Sequence, residues 1–209
     1  MRKQIGIGCI VFGLLCLMTA IGFVVYNRWE ADHGQKASQI LLESVQENIH
    51  EKQPETESPG NETEDTIAVD IQESTLHQMQ TVPAGNYDSI GILSIPVLEL
   101  ELPVLTEWSY EKLRNAPCHY YGSYYEPDFV IAAHNFPAHF GRLSQLQPGD
   151  LVLFTNVEGT VYCYEVVLLE TLLPTATEEM ITSGFDLSLY TCTPGGSNRV
   201  TVRCRTVTP

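Results

Sequence analysis

Leu187-Ser188-Leu189-Tyr190-Thr191-Cys192 reads as a β-strand that carries a cysteine at its end. The turn Thr193-Pro194-Gly195-Gly196-Ser197-Asn198 follows, and a second strand over residues 199–207 opens with the guanidinium of Arg199. Proline fixes φ and glycine frees it, so their conjunction marks a sharp reversal between the two strands. The same grammar continues outward. Residues 151–154, 161–169 and 185–191 are further strand candidates, separated by Pro148-Gly149-Asp150 and Glu158-Gly159. Phe129-Val130-Ile131-Ala132-Ala133 is apolar and β-prone, and it delivers His134. Ile90-Gly91-Ile92-Leu93-Ser94-Ile95-Pro96 is a short apolar strand ended by proline. Residues 97–104 alternate Leu and Glu as a half-buried strand does, and residues 111–116 suggest a short helix. Short strands at this spacing, with little helix, predict an all-β barrel or sandwich.

The N-terminus is built differently. Ile5 to Tyr26 holds no charged residue, and a helix of about 20 apolar residues crosses a bilayer. The run continues through Ile21-Gly22-Phe23-Val24-Val25-Tyr26 without a small-x-small cleavage site, which favours an uncleaved anchor over a signal peptide. Leu15 is too large to precede a lipid-modified cysteine at Cys16. Arg2 and Lys3 precede the span and Arg28 follows it, a bias that places the N-terminus on the cytoplasmic side.

The chain of 209 residues carries a net charge of −15. Residues 30–88 hold thirteen acids against two bases, and residues 89–209 thirteen against six. No basic stripe exists, so nucleic acid is excluded as a partner. After the span, residues 29–50 show weak helical periodicity (Ile40, Leu41, Val45, Ile49). Residues 51–73 are acidic and rich in Pro, Thr, Ser and Asn, a composition that reads as a flexible tether. Asn61-Glu62-Thr63 matches a glycosylation triplet, a pattern too common to carry weight. The expected organisation is therefore a cytoplasmic tip and transmembrane anchor over residues 1–28, a stalk and acidic linker over 29–88, and a β domain over 89–209.

Three side chains form the candidate site. Cys192, at a strand end beside a rim, is placed to act as a thiolate nucleophile, which a nearby cation or base populates. Arg199, opening the next strand, keeps its charge at any working pH and suits an oxyanion. Arg203 and Arg205 are weaker alternatives because they lie further from the turn. His134, delivered by its own strand, suits general acid and base work; His119 and His139 sit in loops. Of the six cysteines, Cys163 and Cys204 read as small strand residues. No CxxC pair or HExxH helix is present, so no metal site is assigned.

These motifs together resemble the sortases, membrane-anchored cysteine transpeptidases of Gram-positive surfaces. The resemblance rests on Ile90 to Pro96, Ala116-Pro117-Cys118-His119-Tyr120, Ile131-Ala132-Ala133-His134-Asn135, Phe140-Gly141-Arg142-Leu143, Leu187 to Cys192, and Arg199-Val200-Thr201-Val202-Arg203-Cys204. Cys204 stands where the family usually has alanine, and Ala133 where many members have glycine. The resemblance implies a closed sortase-like β-barrel of about eight strands with short helices. It implies that Cys192 attacks a threonine carbonyl in an LPxTG-like sorting signal, that Arg199 stabilises the oxyanion, and that His134 protonates the leaving amine. The acceptor would be an amine of a peptidoglycan precursor or a pilin lysine. No organic cofactor is implied; some relatives use calcium, for which no residues are assigned here. The barrel would stand outside the cell on a single-pass anchor, and the subclass is left open. The same residues are also compatible with a thiol peptidase that only hydrolyses, or with a silent β-barrel binding module.

Overall fold

The computed structural model describes residues 2–51 and 78–207. Most of the expected acidic tether, and the Asn61 triplet with it, lie outside the described residues.

The chain opens with one uninterrupted helix, α1 (Arg2–Glu51), of 50 residues. At 1.5 Å per residue it is about 75 Å long, which exceeds the ~30 Å of bilayer hydrocarbon with a long remainder. Residues 12–29, including Phe12, Leu15, Phe23 and Val24, are exposed, and the helix is long and apolar enough to cross a membrane. The second half packs on the barrel. Gly34, Ser38, Leu41, Val45 and Ile49 are buried along one stripe, spaced as one helix face requires. Leu41, Val45 and Ile49 join Val82, Ile92, Leu105 and Cys118 in a common apolar cluster. Of the residues that suggested a periodicity in this stretch, only Ile40 faces outward.

Among the described residues nine strands follow: β1 (Val82–Ala84), β2 (Tyr87–Ile95), β3 (Leu100–Leu105), β4 (Cys118–Tyr121), β5 (Phe129–Ala132), β6 (Leu151–Asn156), β7 (Val161–Leu172), β8 (Leu187–Cys192) and β9 (Arg199–Thr206). The sheet therefore begins ahead of Ser89. Two short helices intervene, α2 (Tyr110–Leu113) and α3 (Thr177–Ile181). The strand order is β1-β2-β3-β4-β5-β8-β9-β7-β6, and β2 also pairs with β6. That last pairing closes β2 through β9 into an eight-stranded barrel, with β1 attached outside the ring.

Closure depends on Gly91. It holds φ +150, and a Cβ there would meet the Thr155 carbonyl oxygen at 2.1 Å. β2 bulges at this point while it pairs with β3 and β6 together. Only a residue without a side chain lets three backbones meet so closely. The alternation of β8 then sorts its side chains. Leu187 and Leu189 join Phe129, Ile131, Phe154 and Val202 in the main core, each worth about 2 kcal/mol of burial. Ser188, Tyr190 and Cys192 fall on the opposite, outer face, as period-two geometry demands.

His139 is fully buried in the loop after β5. Among the described residues neither ring nitrogen has a hydrogen-bond partner of good geometry, although the Gly34 carbonyl of α1 stands near enough to favour the charged ring. Burial dominates and lowers its pKa from 6.5 to about 4, against the pull of Gly34. Unfolding restores the ordinary value, so between these two pH values the unfolded chain binds a proton that the folded chain refuses. Stability is therefore full above pH 6.5 and declines as the pH falls toward about 4, by about 3 kcal/mol from this ring. His139→Leu removes the titration. Urea midpoints measured at neutral pH and near pH 4.5 should converge in this variant relative to the parent chain.

Candidate active site

The site is assembled by strand register. β5 runs parallel to β8, pairing Ala132 with Tyr190. Beyond that pair, the Ala133 amide donates to the Tyr190 carbonyl at 3.2 Å. The buried Thr191 hydroxyl donates to the Ala133 carbonyl at 2.8 Å. These two bonds tie the strand ends together immediately before His134 and Cys192. β5 ends at Ala132, so His134 and Cys192 each lie two residues past the Ala132–Tyr190 pair, His134 in the loop and Cys192 at the end of β8.

β8 and β9 form an antiparallel hairpin in which Cys192 pairs directly with Arg199. The connecting turn is closed by the Thr193 amide donating to the Asn198 carbonyl at 2.9 Å, and by the Gly196 amide donating to the Thr193 carbonyl at 2.8 Å. The Thr193 hydroxyl accepts from the Asn198 amide at 3.0 Å. Arg199 Nη1 donates to the carbonyls of Gly196 and Asn198, both at 3.1 Å. Both bonds use one nitrogen of the five-donor fork, which leaves the remainder for the rim. Cys192, Arg199 and His134 are all half-buried, so each is held by the scaffold and still open to solvent. Cys192 and Arg199 are a direct register pair, and His134 follows the end of β5, the parallel neighbour of β8.

His134 stacks on Phe136, with ring centroids 4.9 Å apart and 27° between planes. Burial lowers its pKa; the Glu30 carboxylate opposes this and the Arg114 guanidinium adds to it. The neutral imidazole is therefore favoured near pH 7, a form able to accept a proton. His119 is built otherwise. Its Nδ1 and Nε2 lie 3.1 and 2.8 Å from the Thr106 and Gly122 carbonyls, and its ring packs toward the core residue Phe129.

A small cavity of about 30 Å³ opens beside Arg199, lined by Tyr120, Tyr190, Leu173, Pro174 and residues of α3. The loop that follows β7 makes its outer wall. Met180 packs with Val130 and Leu172, and Tyr120 and Tyr190 pack against the same cluster. Tyr120 and Tyr190 meet edge to face at 5.2 Å, and Trp108 continues the aromatic row at 5.8 Å from Tyr120.

Arg203 belongs to this wall, not to the rim. It is buried at 1% exposure and lies under α3. Its Nε donates to Glu170 Oε1 at 2.7 Å. Nη1 donates to the Ser188 hydroxyl at 2.8 Å and to the Met180 carbonyl at 3.3 Å. Nη2 donates to the Glu179 carbonyl at 2.7 Å. Arg205, at the far end of β9, pairs with Asp186 at 3.6 Å. Cys118 and Cys204 are buried free thiols, each pushed up to about 12 by burial. Cys163 is free and half-buried in β7. Among the described residues, no group of three or more His, Cys, Asp or Glu side chains is placed to hold a metal ion.

Comparison with known proteins gives this geometry a family. A family model described as the sortase domain matches residues 93–207. The chain belongs to the sortase family. Sortase C1 from Streptococcus agalactiae is 27% identical with a TM-score of 0.52, over 58% of this chain and 68% of that one. The Sortase D5 transpeptidase of Clostridium perfringens is 18% identical with a TM-score of 0.59, over 83% of this sortase and 99% of that chain. Sortase C of Streptococcus pneumoniae is 23% identical with a TM-score of 0.53, over 79% and 89%. The last two show the shared fold alone. No curated protein matches.

Two structural features beside the site are not evident in the linear sequence of this sortase. Arg203 reads as a rival of Arg199, yet it anchors the wall of the cavity. Residues 199, 201 and 203 share one face of β9, which period-two counting reveals; the loop that covers Arg203 is a long-range matter. The contact of α1 with the loop bearing His134 carried no sequence signal, because its central residue is a glycine.

Proposed function

We propose that this sortase cleaves an LPxTG-like sorting signal through a thioacyl-enzyme on Cys192 and passes the acyl group to an amine. The supporting observation is the convergence of three strand ends, β5, β8 and β9, on one rim. His134 takes the proton of the Cys192 thiol. The thiolate attacks the threonine carbonyl carbon, and the developing oxyanion accepts hydrogen bonds from Arg199. As the peptide C–N bond breaks, His134 returns its proton to the leaving amine. An acceptor amine then attacks the thioester, its proton passes to His134, and the C–S bond breaks to regenerate Cys192. The acceptor is a peptidoglycan-precursor amine or a pilin lysine. The apolar start of the signal lies along the outer wall formed by Tyr190 and the Leu173–Pro174 loop.

In this reading the apolar half of α1 anchors the protein in the cell membrane as a single-pass span. The N-terminus is cytoplasmic and the barrel extracellular, where secreted proteins bearing the signal emerge.

The test is intact mass of the full chain in detergent, incubated with a panel of LPxTG-like peptides with and without an amine. An adduct on Cys192 and an amine-ligated product support the proposal. An adduct that yields only hydrolysed peptide in the presence of every amine points to a peptidase. A thiol inert to peptides and alkylating agents alike points to a binding module.

Arg199→Ala should lower the acylation rate by about 10²–10³-fold, the cost of losing one oxyanion donor. Arg199→Lys should recover only part of it, because an ammonium keeps the charge and loses the planar fork. Single-turnover acylation of the three proteins checks the order; equal rates would remove Arg199 from the mechanism.

A further inference from the structure

The membrane-proximal part of α1 touches the loop that bears His134. Gly34 is buried on that helix. A Cβ at this position would meet the Arg114 carbonyl oxygen at 2.8 Å and two carbons of the Phe136 ring at 3.0 and 3.1 Å. The helix can approach this closely only because position 34 has no side chain. Phe136 in turn stacks on His134 at 4.9 Å and packs on His139 at 5.5 Å. One helical turn before Gly34, the Glu30 carboxylate lies 3.7 Å from Arg114 Nε. Arg114 thus meets α1 through both its main chain and its side chain.

We propose that Glu30 and Gly34 are positioning residues of the transfer reaction: seated on Arg114 and Phe136, they set the orientation and charge of His134. This rests on the reading of His134 as the general acid and base. Three observations support it apart from that reading. Among the described residues, the ring stacked on His134 is Phe136, and Gly34 packs closely against it. The charged groups that act on the imidazole from neighbouring elements are Glu30 on α1 and Arg114 after α2, of opposite sign and paired with each other. His139, on the same loop, couples to His134 as a like charge, and the strand register adds Cys192 and Arg199 at the rim. Finally, α1 is continuous from its apolar half to this contact, so the segment that fits a membrane anchor and the segment that braces His134 are one rod.

The two residues predict opposite responses. Glu30→Gln removes the anion and leaves Arg114 unbalanced, so the His134 titration midpoint should fall by a few tenths of a pH unit. Gly34→Leu pushes the helix away and admits water to the ring, so the midpoint should rise toward its ordinary value. Transfer should drop roughly tenfold in Gly34→Leu through misplacement of the imidazole. Asp32→Asn, the same charge change on an exposed position of the same helix, should leave both quantities at parent values.

The experiment is imidazole NMR titration of the full chain in detergent micelles, with the pH profile of transfer measured on the same samples. General destabilisation moves both variants alike, so opposite shifts identify positioning. Midpoints and transfer rates in Glu30→Gln and Gly34→Leu that match Asp32→Asn overturn the proposal. If Gly34→Leu does not fold, the near-isosteric Glu30→Gln still decides: an unmoved midpoint overturns it. His134→Asn separates the two readings. Full transfer in that variant sinks the role of His134, while the NMR shifts report independently on the helix contact.

Discussion

Cys192→Ala should abolish the peptide adduct and lower amine ligation by 10⁴-fold or more, the usual order for loss of a covalent nucleophile. The fold should survive. Cys192 is a half-buried strand-end residue, and truncation to alanine at such a place changes stability by less than about 1 kcal/mol. Cys118→Ala and Cys204→Ala should keep the adduct. Both thiols are buried and pushed up to about 12, so at neutral pH almost none of either is thiolate, the reactive form. Cys163→Ala is the stricter control because Cys163 is half-buried and thus reachable. It lies in β7, however, paired with Leu153 of β6 and away from the β5–β8–β9 rim. Intact mass after incubation with peptide decides among them. An adduct that persists in Cys192→Ala and vanishes in Cys163→Ala would move the nucleophile and undo the proposed mechanism.

The alignment that this prediction uses was largely legible in the linear chain, for a physical reason. A strand that ends at a Pro-Gly-Gly turn must place its last residue at a barrel rim, and the first residue of the next strand must pair with it. Cys192 opposite Arg199 follows from the hairpin alone. His134 required one further fact, that β5 lies beside β8 in parallel, and parallel pairing is not written in either strand. The elements that escaped are those whose sequence is locally ambiguous. β4 spans four residues and meets β3 through the single pair Leu105–Cys118, so it has almost no pattern of its own. α3 follows Pro174 and is five residues long, too short for a helical period to register. His139 looked like any loop histidine because burial by α1 and the barrel is a tertiary event. The stalk half of α1 showed weak periodicity because its buried stripe includes Gly34 and Ser38, two residues that hydropathy does not mark.

Arg203→Met should cost about 4 kcal/mol of stability and raise the KM for the sorting peptide more than it lowers the rate of acylation. The stability term follows from the bonds lost. The guanidinium makes one charge-assisted bond to Glu170, one bond to the Ser188 hydroxyl, and bonds to the carbonyls of Glu179 and Met180. A bond to a charged group contributes ~1.5–3 kcal/mol, and each buried acceptor left without a donor costs ~1–3 kcal/mol. Methionine refills part of the volume, and Glu170 is partly exposed and regains water, so the sum stays near the lower end. The kinetic term follows from position. Two of the four acceptors are main-chain oxygens of α3, the segment that walls the cavity beside Arg199. Without its anchor α3 frays from the barrel, the wall loses its fixed distance from Tyr190, and binding weakens before chemistry does. Denaturant midpoints and steady-state kinetics on the full chain in detergent check both halves. Glu170→Gln provides the graded comparison: it keeps an acceptor for Nε and the two carbonyl bonds to α3, so it should lose stability while holding KM near the parent value. A fall in kcat with KM unchanged in Arg203→Met would instead place Arg203 with the rim residues and return it to rivalry with Arg199.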